Sequence, residues 1–186
     1  STRVRSSAAS DVYKRQAKKE LVHLASYAIQ SLEASYAFFA KGDEKYFDKV
    51  EKYETAVNSI DEELTTYLID ISNESLSVSE NEVLASVLDS VRDLERIGDL
   101  AVASANLSQH IHNKGIEFSG TAKAELGDVY NRTHRIDLDS IRVVVDDDKV
   151  LAGQVILRHE ELKKLEKQLR MIHTLSLIHI SEPTRP

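Results

Sequence analysis

The chain has 186 residues, of which 41% are hydrophobic and 30% charged, with no Cys, two Pro and a formal net charge of −7. This composition suits a folded domain with its own core and excludes collagen, disulfide scaffolds and low-complexity disorder. The acidic excess argues against nucleic-acid binding, which needs clustered Lys and Arg, and the lack of Cys excludes thiolate metal sites and cysteine catalysis.

Both ends of the chain resemble sequence that does not belong to the natural protein. Residues 6–16 (SSAASDVYKRQ) and 175–185 (LSLIHISEPTR) are similar to the two translated adapters of sequencing libraries. We therefore expect residues 1–16 and 175–186 to be adapter, and the natural protein to be longer than the part between them.

The first two predicted helices each carry one apolar stripe. Over about 18–41, small and apolar residues alternate steps of four and three, which is typical of one helix face. They are Leu21, Ala25, Ala28, Leu32, Ser35 and Phe39. Gly42 predicts the end of this helix, and Asp43 predicts the N-cap of a second helix over about 43–72. The second stripe recurs every seven residues, at Val50, Val57, Leu64 and Ile71, and predicts packing along the full helix.

A third helix is predicted after a linker over 73–78. The run Ser79-Glu80-Asn81-Glu82 predicts a capping box at its start, and the run 113–115 predicts its end. Its seam consists of Val87, Val91, Leu94, Gly98, Ala101, Ala105 and Ser108. Because these residues become smaller along the helix, we expect a neighbouring helix to approach most closely at Gly98.

Two further helices complete the predicted fold. The fourth runs from near Ser119 to about Val145, and the acidic run 146–148 separates it from a fifth. The fifth helix repeats Val155, Leu162 and Leu169 at intervals of seven. Since strand-like alternation is limited to a short valine run, the pattern predicts an all-α antiparallel bundle of five helices.

Acidic residues in the third helix suggest a cation site. Glu95 and Asp99 are four residues apart, so they share one helix face beside Gly98. Glu54 and Asn58 repeat this offset in the second helix. Oxygen ligands on two facing helices suit Mg, Mn, Fe or Ca, so these four residues are the candidate metal ligands.

The same segment has a second interpretation. Asp89 and Asp93 form another acidic pair, and Arg92 and Arg96 form a cationic pair between them. Arginines that neutralise buried carboxylates would give a structural ion-pair network that fixes the helix register. Both interpretations require the charged side chains around Ile97 to point inward, between helices.

The sequence offers little support for catalysis. Glu20 and His23 have the Glu-x-x-His spacing of di-iron bundles, but the second copy that such sites need is missing from the sequence. His110 and His112 lie near a helix end and are expected at the surface. Because no phosphate loop, nucleophile elbow or Ser/His/Asp set is present in the sequence, we expect a protein that is not an enzyme.

Residues 94–99 (LERIGD), followed by Ala101, resemble the signature helix of the PhoU family. The resemblance implies two three-helix repeats and a role in controlling phosphate uptake. Residues 17–115 would form the first repeat, and residues 116–174 a second repeat truncated before its third helix. We therefore expect an exposed apolar face on helices four and five, and self-association through it.

The resemblance also bears on the metal site. In stand-alone PhoU proteins, Glu/Asp-x-x-x-Asp pairs can hold metal clusters, and Glu95 and Asp99 keep that pattern here. Asn58 and Lys163 stand where the family has acids. A lysine ammonium has no lone pair for a metal, so the resemblance implies at most one weakly held divalent cation, such as Mg, Mn or Fe.

Residues 16–22 (QAKKELV) are similar to the junction where bacterial sodium/phosphate cotransporters pass from their membrane domain into a C-terminal PhoU-like domain. This implies a non-catalytic regulatory domain at the cytoplasmic face of the cell membrane, belonging to an integral membrane protein. Its partner would be the transporter domain of the same full-length chain, with a homo-oligomer as a further association. A free-standing metal-binding regulator and a purely structural bundle are the alternatives.

Overall fold

The structure is a computed structural model that describes the backbone of residues 2–74 and 76–181 and the side chains of 11–74 and 76–175. Five helices follow one another: α1 (Thr2–Lys41), α2 (Glu44–Ser72), α3 (Val78–Asn113), α4 (Gly120–Asp146) and α5 (Lys149–Ser181). No strand occurs in these ranges. The predicted all-α, five-helix fold is confirmed.

The chain divides into two compact units, Ser1–Glu117 and Phe118–Pro186. The first unit contains α1, α2 and α3, each packed against the other two, and the second contains α4 packed against α5. None of the five helices, as far as they are described, is both long enough and apolar enough to span a bilayer.

The core of the first unit follows the predicted stripes closely on α2 and α3. Val50, Val57, Leu64 and Ile71 are all buried, as the spacing of seven predicts. On α3 the buried seam residues are Val91, Gly98, Ala101, Ala105 and Ser108. The contribution of α1 to the hydrophobic core consists of Ala17, Leu24, Ala25, Ala28, Ile29, Ala34 and Phe38. Small residues on α1 and α3 let the three helices approach closely around the larger side chains of α2.

Local capping explains where α2 and α3 begin. The Asp43 carboxylate accepts a hydrogen bond from the Lys45 backbone N–H at 3.1 Å, directly after Gly42, which adopts a positive φ of 66°. The predicted capping box at Ser79 is wrong, because Ser77 is the N-cap of α3 and exchanges hydrogen bonds with Glu80. Both serines are followed three residues later by Glu, so the spacing rule alone cannot choose between them.

Helix α1 is longer than the apolar stripe predicts. It starts at Thr2 rather than near Lys18, and it therefore continues through residues 2–16, whose origin as translated adapter stays a prediction. Tyr13 packs edge-on against Tyr67 of α2, with ring centroids 6.2 Å apart. At the other end, α5 continues through 175–181, and residues 182–186 of the predicted adapter lie outside the described residues.

The second unit buries few apolar side chains. Ile136 of α4 and Leu162 of α5 are its buried hydrophobic residues in the described range. Two helices placed side by side cover one strip of each other and leave the remaining apolar surface in water. Val150, Ile156, Leu157 and Met171 are accordingly more than half exposed.

Candidate functional site

The candidate site is an acidic face where α2 and α3 run side by side. Gly98 of α3 lies against Val57 of α2, where a Cβ atom at Gly98 would be 3.4 Å from Val57 Cγ1. This is the close approach expected at the small end of the seam. It brings the polar residues that flank Gly98 and Val57 next to each other.

The carboxyl group of Glu95, beside this contact, is influenced by two other carboxylates. Glu95 is half-buried, and the pKa of its carboxyl group is raised by burial first, then by the negative charges of Asp99 and Asp61 and by a hydrogen bond with Asp99. Asp61 belongs to α2, one helical turn beyond Val57, and its Oδ1 accepts a hydrogen bond from Thr65 Oγ1 at 3.2 Å. Asp61 is half-buried like Glu95, whereas Asp99 is exposed and does not point inward as predicted. The site is therefore a concentration of negative charge at the edge of the helix pair.

Asp61 is a residue that the sequence analysis missed. The signal for it is the pairing of Val57 with Gly98. In an antiparallel helix pair, a step forward along α2 matches a step back along α3. Asp61, four residues after Val57, therefore lies opposite Leu94 and Glu95, which come three to four residues before Gly98. The prediction of Glu54 and Asn58 instead rested on matching offsets within each helix and did not use this register.

The structure places Glu54 and Asn58 differently from Glu95. Glu54 is half-buried and Asn58 is exposed, and neither contributes to the raised pKa of Glu95. Within the described residues, neither makes a side-chain hydrogen bond or an ion pair. Asp61 is thus the α2 residue associated with Glu95, whereas a role of Glu54 and Asn58 as ligands stays a prediction.

The charged pairs predicted around Ile97 do not point inward. Arg92, Asp93 and Arg96 are exposed. Arg92 forms an ion pair with Asp89, in which Nη1 lies 3.9 Å from Oδ1. About three quarters of each of these two side chains is exposed to water. At 100° per residue these positions lie on the side of α3 away from its seam, which explains their exposure. An exposed pair of this length contributes little to stability.

The donor set of the acidic face limits what it can hold. Carboxylate oxygens suit a hard divalent cation, and a cation would offset the repulsion that raises the pKa of Glu95. Yet the described residues contain no group of three or more His, Asp or Glu side chains arranged to hold a metal ion. A cation at this face therefore stays a prediction.

Other predicted positions lie apart from this face. Glu20 and His23 pair with each other on α1, with 3.4 Å between Oε2 and Nδ1. Lys163 is exposed on α5, in the second unit. His110 is exposed as expected, but the prediction for His112 is wrong, because His112 is half-buried and its Nε2 lies 3.3 Å from the Phe39 carbonyl oxygen.

Comparison with protein families matches residues 21–107 to the PhoU domain. The matched range contains part of α1, all of α2 and most of α3, and includes Asp61, Glu95 and Asp99. No curated protein and no solved structure matches the chain.

Proposed function

We propose that residues 21–107 act as a non-catalytic PhoU domain that regulates phosphate transport by docking on a partner protein. The observation that carries this proposal is the agreement of the family match with the fold. The matched residues lie within the first compact unit and supply its three packed helices. The match supports a regulatory role related to phosphate transport.

We further propose that the partner is the membrane domain of a sodium-dependent phosphate transporter in the same full-length chain. The support is the likeness of residues 16–22 to the junction between such a membrane domain and a PhoU-like domain. The coding sequence upstream of residue 17 in the parental gene tests this. Several hydrophobic stretches of about 20 residues are expected there, and a reading frame without them would defeat the transporter version.

We propose that the docking surface for this partner lies on α3. Leu100 and Leu107 are 59% and 60% exposed and lie seven residues apart, so they share a helix face directed away from the bundle core. Arg96, also exposed, lies one turn before Leu100. Apolar side chains next to charged ones are typical of the centre and rim of a protein interface.

An uptake assay on the full-length parent protein tests docking. The double substitution Leu100→Ser and Leu107→Ser removes apolar surface without opening the core, so we expect a normally folded protein whose phosphate uptake no longer responds to phosphate supply. Ile69→Ser is the matched control, because Ile69 is 50% exposed on α2 of the same unit. Unchanged regulation in the double variant would contradict the assignment of this surface.

The acidic face favours a second candidate, a free-standing PhoU-type regulator that binds a divalent cation. Its support is the set of three neighbouring carboxylates, Asp61, Glu95 and Asp99. Metal analysis after dialysis against Mg, Mn or Fe distinguishes the candidates. The second candidate would be favoured if the unchanged protein binds nearly one metal ion per chain and the Glu95→Ala, Asp99→Ala double variant binds none. A purely structural bundle would be favoured if this double variant leaves phosphate uptake unaffected.

A further inference from the structure

We propose that a cleft between α4 and α5 binds a small, doubly negative oxyanion of the phosphate type. The cleft has a volume of about 370 Å³, which is at the small end of ligand sites in proteins. Six of its seven lining residues have a polar or charged group, and Ile136 is the seventh. The six are Asp128, Asn131, Arg132, Arg135, Arg158 and Glu161. The proposal concerns the second unit alone and does not depend on the function proposed for the first.

Two of the three arginines are held in place by carboxylates. Arg132 Nε donates to both oxygens of Asp128 at 3.1 Å, and Arg158 Nη1 donates to Asp139 Oδ2 at 2.7 Å. A guanidinium group carries five N–H donors. These contacts therefore orient each planar head while leaving further N–H groups, including both terminal nitrogens of Arg132, for a ligand.

Arg135 supplies a third guanidinium group to the cleft. Its side chain is exposed, and in the described part of the chain no carboxylate pairs with it. It lies one turn after Arg132 and Asn131 on the same side of α4, so the Asn131 amide adds a neutral donor next to it. An unpaired guanidinium beside two oriented ones is a donor set for an anion.

The free hydrogen-bond donors, rather than a net charge, favour an anion over a cation. The three guanidinium groups are balanced by the carboxylates of Asp128 and Glu161 in the lining and of Asp139, which binds Arg158. Arginine binds planar or tetrahedral oxyanions through paired N–H groups that match the oxygen spacing. These paired donors suit the oxygens of a phosphate group.

Titration of the full 186-residue chain with inorganic phosphate in chloride buffer, followed by calorimetry, tests the proposal. We expect saturable binding that sulfate competes for, and roughly tenfold weaker binding in the Arg135→Gln variant, because hydrogen bonds to charged groups are lost. Arg170→Gln is the matched control, since Arg170 is an exposed arginine of the same unit that does not line the cleft. It should bind phosphate as the unchanged chain does.

Two results would overturn the inference. One is the absence of saturable binding in the unchanged chain. The other is an equal loss of phosphate affinity in Arg135→Gln and Arg170→Gln, which would show attraction by net charge alone.

Asn131→Ala is a second variant that leaves all charges in place, and we expect it to weaken phosphate binding severalfold. Titration with a phosphate monoester such as glycerol 3-phosphate shows whether the cleft also accepts a substituted phosphate. Phosphate uptake regulated by the parent protein is a separate readout and can fail while this binding persists.

Discussion

The Glu95 carboxyl group responds to its two acidic neighbours, and this can be measured residue by residue. Replacing Asp99 by Asn removes a negative charge that raises the pKa of Glu95, and it supplies an amide N–H group that can donate to the ionised carboxylate. We therefore expect Asp99→Asn, and to a smaller extent Asp61→Asn, to lower the pKa of Glu95 in an NMR titration of its side-chain carboxyl carbon. Burial, the largest cause, would keep the pKa above its ordinary value of 4.5.

Asp93→Asn is the control for this titration, because Asp93 is exposed on α3 and does not contribute to the raised pKa of Glu95. An equal decrease in the pKa of Glu95 in Asp93→Asn and Asp99→Asn would refute the geometry of the acidic face.

Asp137 on α4 predicts how the second unit depends on pH. Its Oδ2 is buried without a hydrogen-bond partner among the described residues, and burial raises its pKa to about 6 against the opposing effect of His134. The folded state therefore binds more protons than the unfolded state between pH 3.8 and about 6, so stability falls as the pH rises through this window. Above this window the free energy of unfolding is lower by up to roughly 3 kcal/mol.

Asp137→Asn should remove this loss. We expect slower hydrogen exchange of α4 amides at pH 7.5, with a gain that shrinks toward pH 4. Glu160→Gln, an exposed acid on α5, is the matched control and should change little at either pH. If Asp137→Asn slowed hydrogen exchange by the same factor at pH 4, the substitution would act through something other than the ionisation of Asp137.

The position of some residues in the fold could be predicted from the sequence, and that of others could not. The close approach at Gly98 was predictable because the seam shrinks toward it, and Val57 is its neighbour. Asp61 and His112 were not, because their positions depend on contacts with other helices. The α2–α3 register sets the position of Asp61, and the packing of the α3 end on Phe38, with ring centroids 5.2 Å apart, sets that of His112.

At the scale of the helix, the start of α3 gives a direct test of capping. Ser77 Oγ accepts a hydrogen bond from the Glu80 backbone N–H at 3.3 Å, and the Glu80 carboxylate accepts one from the Ser77 backbone N–H at 2.8 Å. We expect Ser77→Ala to lower the free energy of unfolding by about 1 kcal/mol in urea titrations. Ser79→Ala, inside the helix, should be nearly neutral, and the reverse order would place the cap at Ser79.

Helix boundaries and stripes were predictable where tertiary packing reinforces the local pattern. On α2 the heptad spacing gave the buried face because neighbouring helices cover it along its length. On α4, Leu126 belongs to the predicted stripe but is 42% exposed, since only α5 packs on this helix in the described structure. Periodicity gives the direction of an apolar face, while burial also requires a second surface.

At the scale of the whole molecule, the two units differ in how much apolar surface they cover. Val150 and Leu157 are 74% and 61% exposed and lie seven residues apart on α5. Because patches of this kind are uncommon on monomers, we expect the chain to self-associate through α4 and α5 in a concentration-dependent way in analytical ultracentrifugation. The double variant Val150→Ser, Leu157→Ser should shift the equilibrium toward monomer.

Leu100→Ser with Leu107→Ser provides a control for association, since these residues are similarly exposed but belong to the first unit. A chain that stays monomeric over the full concentration range would contradict the prediction, and so would equal effects of the two double variants.

The short turn between α1 and α2 has a mechanical consequence for the first unit. Two residues, Gly42 and Asp43, make this turn, and His112 from the last part of α3 contacts the carbonyl of Phe39 next to it. The second unit starts at Phe118, a few residues further along the chain. A pull on the second unit would therefore reach the first unit at the end of α3, where His112 is held against the turn between α1 and α2.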